Sequence, residues 1–162
     1  MRIITLVGFV FGACLLSHPS FGADSDKVIG TWKLLSYETE VQASGTREPG
    51  MGQNPTGYAV FNTDGRVFLL ITGDARKPAK TAQERAELLT TLIAYTGTYH
   101  IAADKWTTRV EVSWIPEWVG TDQVRTLTVD GERLIVMSPW RVNPNWPDKG
   151  MTRSIVTFAR SK

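Results

Sequence analysis

The chain has 162 residues, 42% of them hydrophobic, with 18 basic and 16 acidic side chains and a formal net charge of +2. That length fits one domain, and the apolar content is too high for a disordered chain. The charge is nearly balanced and its Lys and Arg are scattered rather than striped among aromatics, which argues against nucleic acid as a partner.

The N-terminus carries Arg2, an apolar run from Ile3 to Leu16, Pro19, and then Ser20, Phe21, Gly22 and Ala23. A positive start, a short apolar run and small residues at both positions read by a signal peptidase predict a signal peptide over 1–22. The domain is then 23–162, exported to the periplasm or secreted. The apolar run is too short to span a bilayer comfortably, so no integral membrane segment is expected in the mature chain. The single cysteine, Cys14, lies inside this run. Phe11-Gly12-Ala13-Cys14 weakly resembles a lipoprotein cleavage box, and a lipid anchor through Cys14 is the lesser alternative. Without Cys14 the mature chain has no thiol nucleophile, no disulfide and no thiolate metal ligand.

The remaining sequence is a series of β-branched and aromatic runs cut by turn signals. Val28 to Glu40 reads as the first strand, followed by a Gly/Pro-rich loop from Ala43 to Pro55. Gly57 to Asn62 and Arg66 to Thr72 form a hairpin across Thr63-Asp64-Gly65. Thr81 and Glu84 have the spacing of a capping box, and Ala82, Ala86, Leu89 and Ile93 recur at helical spacing, widened by Leu88 and Leu92. A helix that lies on the barrel or closes one end is expected there. Strands resume at Thr98 to Ala102, Lys105 to Ile115, Thr121 to Val129, Glu132 to Ser138 and Met151 to Arg160. A loop from Pro139 to Lys149 precedes the last. The pattern predicts an all-β fold, an eight-stranded antiparallel barrel with one helix inserted between its third and fourth strands.

Several motifs run through this frame in order: Gly30-Thr31-Trp32-Lys33-Leu34; Pro55-Thr56-Gly57-Tyr58 leading to Asp64-Gly65-Arg66; Val110 to Trp114; Pro116 to Arg125; and Asp130 to Leu134. Together they resemble the bacterial and fungal lipocalin-like domain family, over nearly all of Ile29 to Arg160. The resemblance implies a lipocalin-type barrel and no established activity. It also implies that Gly30 and Trp32 form the structural signature, with Trp32 plugging the closed end under a basic residue of the last strand, here Arg160. Many members carry histidines on the strand that here reads Thr107-Thr108-Arg109, and another after the arginine matching Arg125. This chain has Thr108 and Thr126 near those places.

Period-2 alternation puts Trp106, Thr108, Val110, Val112 and Trp114 on one face of their strand, and the apolar face belongs inside. Tyr58 and Val60 are expected to face the lumen from another strand. These residues line a pocket if the barrel is hollow and form the core if it is filled. Arg125 or His100 is the candidate polar contact for a ligand. Glu111 and Arg125, on neighbouring strands, are expected to pair on the outer face, or else to form a buried pair at the mouth. Trp118, Trp140 and Trp146 lie in loops that are candidates for a ligand entrance.

No catalytic set stands out. His100 is the only histidine after the predicted signal peptide and has no partner with motif support, and one His is a poor start for a metal site. No Gly-rich phosphate loop or Ser-centred nucleophile elbow is present. No cofactor or metal is expected. The leading reading is a carrier for a small apolar ligand. The alternatives are a cofactor-free isomerase, cyclase or hydratase working in the barrel, or an envelope module that binds another protein. A carrier calls for an apolar lining, an enzyme for a deep polar cluster, and a protein-binding module for a filled barrel with an exposed apolar patch.

Overall fold

A computed structural model describes residues 23–143 and 147–161. The expected signal peptide, Cys14 and Trp146 lie outside these residues. In chain order the elements are α1 (Ala23–Val28), β1 (Gly30–Val41), β2 (Arg47–Pro49), β3 (Thr56–Phe61), β4 (Arg66–Thr72), α2 (Ala82–Thr90), β5 (Leu92–Ala102), β6 (Lys105–Ser113), β7 (Asp122–Asp130), β8 (Arg133–Met137), β9 (Arg141–Val142) and β10 (Met151–Arg160). Single 3-10 turns stand at Pro116–Trp118 and Pro147–Lys149.

Strands β1, β3, β4, β5, β6, β7, β8 and β10 pair in that order, and β10 returns to β1, closing an eight-stranded barrel. Every pairing is antiparallel, as short hairpin connections require. The short β2 and β9 extend the wall beside β1 and β10 at one end. Closure leaves few edges for another chain to pair with.

The helix is shorter than its apolar spacing implies. Its capping box forms: Thr81 Oγ1 accepts from the Glu84 amide at 3.1 Å, and the Glu84 carboxylate accepts from the Thr81 amide at 3.0 Å. The helix stops at Thr90, however, and Leu92 and Ile93 belong to β5, which begins six residues before the expected Thr98. None of its residues is buried, so α2 does not cover the core. Arg76 ends it by donating to the carbonyls of Leu88 and Thr91 at 2.9 and 2.8 Å, a cation on orphan C-terminal acceptors. The sheet claims Leu92 to Gly97 because six backbone pairs with β4 hold them there, against one more helical turn of exposed side chains.

One end of the barrel is filled. Trp32, Phe61, Val67, Trp106, Leu134 and Phe158 are all but fully buried there. Phe61 meets Trp106 and Tyr99 edge-on at 4.9 and 5.1 Å between ring centroids. Beneath them Val28, from α1, accepts a 2.7 Å hydrogen bond from the Trp32 indole. The Arg160 guanidinium stands 4.2 Å over the same ring and donates to the carbonyls of Ile29 and Lys27 at 2.9 and 2.6 Å. Gly30 has φ +127, and a Cβ there would stand 3.0 Å from the Arg160 guanidinium, so this arrangement favours glycine.

Two bulges break the alternation. In β1 the partner step from Leu34 to Ser36 leaves Leu35 unpaired, so Trp32 and Leu34 face inward below it and Tyr37 and Thr39 above it. In β6 Thr96 pairs with Val112 and Gly97 with Val110, leaving Glu111 as the extra residue. At this second bulge the strands approach so closely that a Cβ on Gly97 would lie 1.9 Å from the Arg109 carbonyl oxygen.

Candidate functional site

Above the packed floor the barrel holds a narrow cleft, partly open to solvent. Its apolar walls come from two sides. Leu69 and Ile71 of β4 and Ile93 of β5 form one; Val136 of β8 with Val156 and Phe158 of β10 form the other. Trp106 also lines it. A second, more open hollow continues outward between Met51, Leu92, Trp114 and Ile115. Tyr37, Ile93, Trp118 and Arg141 border both spaces, so they mark the passage between the cleft and the mouth.

Trp118 is placed there by its 3-10 turn. Pro116 opens the turn, the Trp118 amide donates to the Ile115 carbonyl at 3.1 Å, and Thr121 Oγ1 ties the Trp118 carbonyl at 2.8 Å. The indole meets Trp114 and Tyr95 edge-on at 4.7 and 5.6 Å. On it stand two guanidinium groups, those of Arg141 at 5.5 Å and Arg125 at 5.7 Å.

The polar groups of the cleft are Arg125, Arg141, Tyr37, Tyr95 and Ser154. Arg125 sits at mid-strand on β7, opposite Trp106 of β6, and is buried at 9% exposure. It donates to the Val124 carbonyl at 2.9 Å and to Gln123 Oε1 at 3.3 Å. Arg141 is carried in by β9, which pairs with Thr152 and Met151 at the mouth. Burial pushes the Arg141 guanidinium below its usual range, and neighbouring Arg125 adds to that. Burial likewise raises the Tyr95 hydroxyl, against the smaller pull of Arg125, so Tyr95 is a neutral donor or acceptor at ordinary pH. The indole Nε1 of Trp106 is buried without a hydrogen-bond partner, as is Thr108 Oγ1 on the same face.

Of the residues expected to line the lumen, Trp106 and Val110 face inward and are 1% exposed, and Trp114 stands at the mouth. Val112 does not face inward. It is 63% exposed, because the Glu111 bulge reverses the alternation before it. Tyr58 and Val60 face outward as well. Ala59 and Phe61 take the inner face of β3, where small Ala59 lies directly opposite Trp32 and leaves room for its ring. Tyr58 and Val60 instead form outer pairs with Leu70 and Phe68. His100 is exposed on the outer face of β5 and lines neither hollow. The Glu111–Arg125 pair does not form. Glu111 accepts from Arg66 at 2.8 Å on the outside, while Arg125 turns into the barrel.

The polar site residues that escaped the sequence reading of the lumen are Tyr37, Tyr95, Arg141 and Ser154; the aliphatic walls, Leu69, Ile71, Ile93, Val136 and Val156, with Phe158, were not singled out either. Tyr37 and Ser154 lie in runs recognisable as strands, and Tyr37 is hidden from a plain alternation count by the Leu35 bulge. Tyr95 falls where the helical pattern was extended. Arg141 lies in a Pro-rich stretch where a two-residue strand leaves no periodic signal. Trp140, from the same stretch, is half-buried under Arg153, whose guanidinium lies 4.5 Å from its ring, and does not line the cleft.

Among the described residues no helix is long and apolar enough to cross a membrane. The model of a lipocalin-like domain family matches residues 29–161 of the chain. No curated protein matches it. Among solved structures, a redesigned β-barrel is similar with a TM-score of 0.41 and 11% identity, over 85% of this chain and 95% of that one.

Proposed function

This chain belongs to the lipocalin-like domain family, and from that premise we propose that it is a carrier that takes a small, largely apolar molecule into its barrel. The observation that carries the reading is the cleft itself: a barrel filled at one end and open at the other, with aliphatic and aromatic walls above the floor. Burying an apolar body against such walls is favourable at about 25 cal/mol per Å². The N-terminal sequence supports export to the periplasm or secretion, with cleavage after Gly22. Mass spectrometry of the protein from its own host tests that part. An intact Met1 in a cytoplasmic fraction contradicts it.

Polar groups in the cleft bear on the enzyme alternative. They supply donors that stabilise negative charge, but among the described residues neither His, Asp nor Glu lines the cleft, so these walls offer no base that works near neutral pH. The carrier reading therefore comes first. Its test is a fluorescence titration of the folded, signal-free protein with the neutral dye N-phenyl-1-naphthylamine. Saturable one-to-one binding that Leu69→Trp abolishes by filling the cleft is expected. No saturable binding to well-folded wild-type protein overturns the reading.

A further inference from the structure

We infer that the ligand of this cleft is an amphipathic carboxylate, its acid group held between Arg125 and Arg141 and its apolar body against the aliphatic walls. The inference rests on the carrier reading and adds the chemical class. It starts from a difference among the arginines. Arg47, Arg66, Arg109, Arg153 and Arg160 each face a carboxylate; of the described arginines that do not, Arg85 and Arg133 are exposed to solvent and Arg76 caps the end of α2. Arg125 and Arg141, the two that line the cleft, face none within 4 Å among the described residues.

Buried Arg125 and half-buried Arg141 therefore carry positive charge against apolar walls without an anion, which is costly for the buried one. They also stand on the same indole and repel each other. Their donors are underused. A guanidinium offers five N–H groups; Arg125 spends two on Val124 and Gln123, and Arg141 spends none on a described residue. Trp106, on the strand beside Arg125, adds a buried indole N–H with no acceptor. The site thus has an excess of donors and positive charge, and no anionic acceptor. A planar carboxylate fills that deficit, because its two oxygens match guanidinium forks. The body of such a ligand is apolar, since Leu69, Ile71, Ile93, Val136 and Val156 supply most of the remaining wall. A nucleotide or sugar phosphate fits this lining poorly for the same reason.

Calorimetry with octanoate and 1-octanol tests the inference, because the two share a chain and differ in the acid group. Wild-type protein is expected to bind octanoate about 10- to 100-fold more tightly than octanol, the range for hydrogen bonds to charged groups. The gap narrows in Arg125→Gln and in Arg141→Gln and closes in the double variant. Equal binding of the two compounds to wild type overturns the inference, and so does a gap that survives in the double variant. Either result leaves the carrier reading standing if the neutral dye binds. Failure of the dye, octanol and octanoate together overturns both.

Discussion

The Arg160 guanidinium lies 4.2 Å from the centre of the Trp32 ring, and the two residues are register partners across the seam where the last strand closes on the first. The contact ties the chain's two ends at the filled floor of the barrel. Trp32 is wholly buried, so Trp32→Ala should cost about 3–5 kcal/mol of stability in a denaturant melt. Arg160→Ala should lower the midpoint less, by about 1–2 kcal/mol, through the lost cation–π contact and the freed carbonyls of Lys27 and Ile29. A Trp32→Ala midpoint equal to wild type, with an unchanged slope, contradicts the floor assignment.

Gly97→Ala should destabilise the fold by about 1–3 kcal/mol or more, since a Cβ at 1.9 Å from the Arg109 carbonyl forces the two strands apart. The same shift displaces Glu111, the bulge residue, from Arg66. Chemical denaturation measures the first effect. A double-mutant cycle with Arg66→Ala measures the second, and coupling beyond 0.5 kcal/mol is expected if the bulge places Glu111.

Arg141→Met should leave the unliganded protein as stable as wild type or raise its melting temperature by a few degrees, an increment of about 1 kcal/mol. Burial and Arg125 both oppose the Arg141 charge, and an apolar chain of similar length removes the opposition. A clear fall in melting temperature would mean that the contact with Trp118 outweighs that opposition.

Glu40 provides an acid-side handle. The hydrogen bond from Arg153 holds its carboxyl below the usual value of 4.5, and the charges of Arg153 and Arg47 act the same way. A lowered folded-state value stabilises the fold above the unfolded value, and the contribution is lost as pH falls through the folded one. Wild type should therefore lose melting temperature below about pH 4.5 more steeply than Glu40→Gln, with the two curves converging at the acid end. Parallel curves from pH 6 to pH 3 would rule this out.

The strand count and the hairpins of the barrel were legible from local chemistry. Turn residues at Asp64-Gly65 and Asp130-Gly131 fix two hairpins, and β-branched runs between turns fix most strands, because both signals act over a few residues. The inner face of a strand was legible only where one face is apolar and the other polar. Trp106, Thr108 and Val110 against Thr107 and Arg109 meet that condition. Gly57 to Phe61 does not, since both faces are apolar, and the volume of Trp32 across the pair decided which turned in. Bulges at Leu35 and Glu111 are long-range events: each arises from how two strands meet, and each reverses the alternation of its strand where it occurs. The helix boundary was likewise settled by β4, which draws Leu92 and Ile93 into the sheet. The two arginines of the cleft show the limit most clearly. Nothing within a few residues of Arg125 or Arg141 distinguishes them from the paired arginines of the surface. What makes them a site is their position beside the same indole without an acid, and that follows from how β7, β9 and the Trp118 turn meet in the fold.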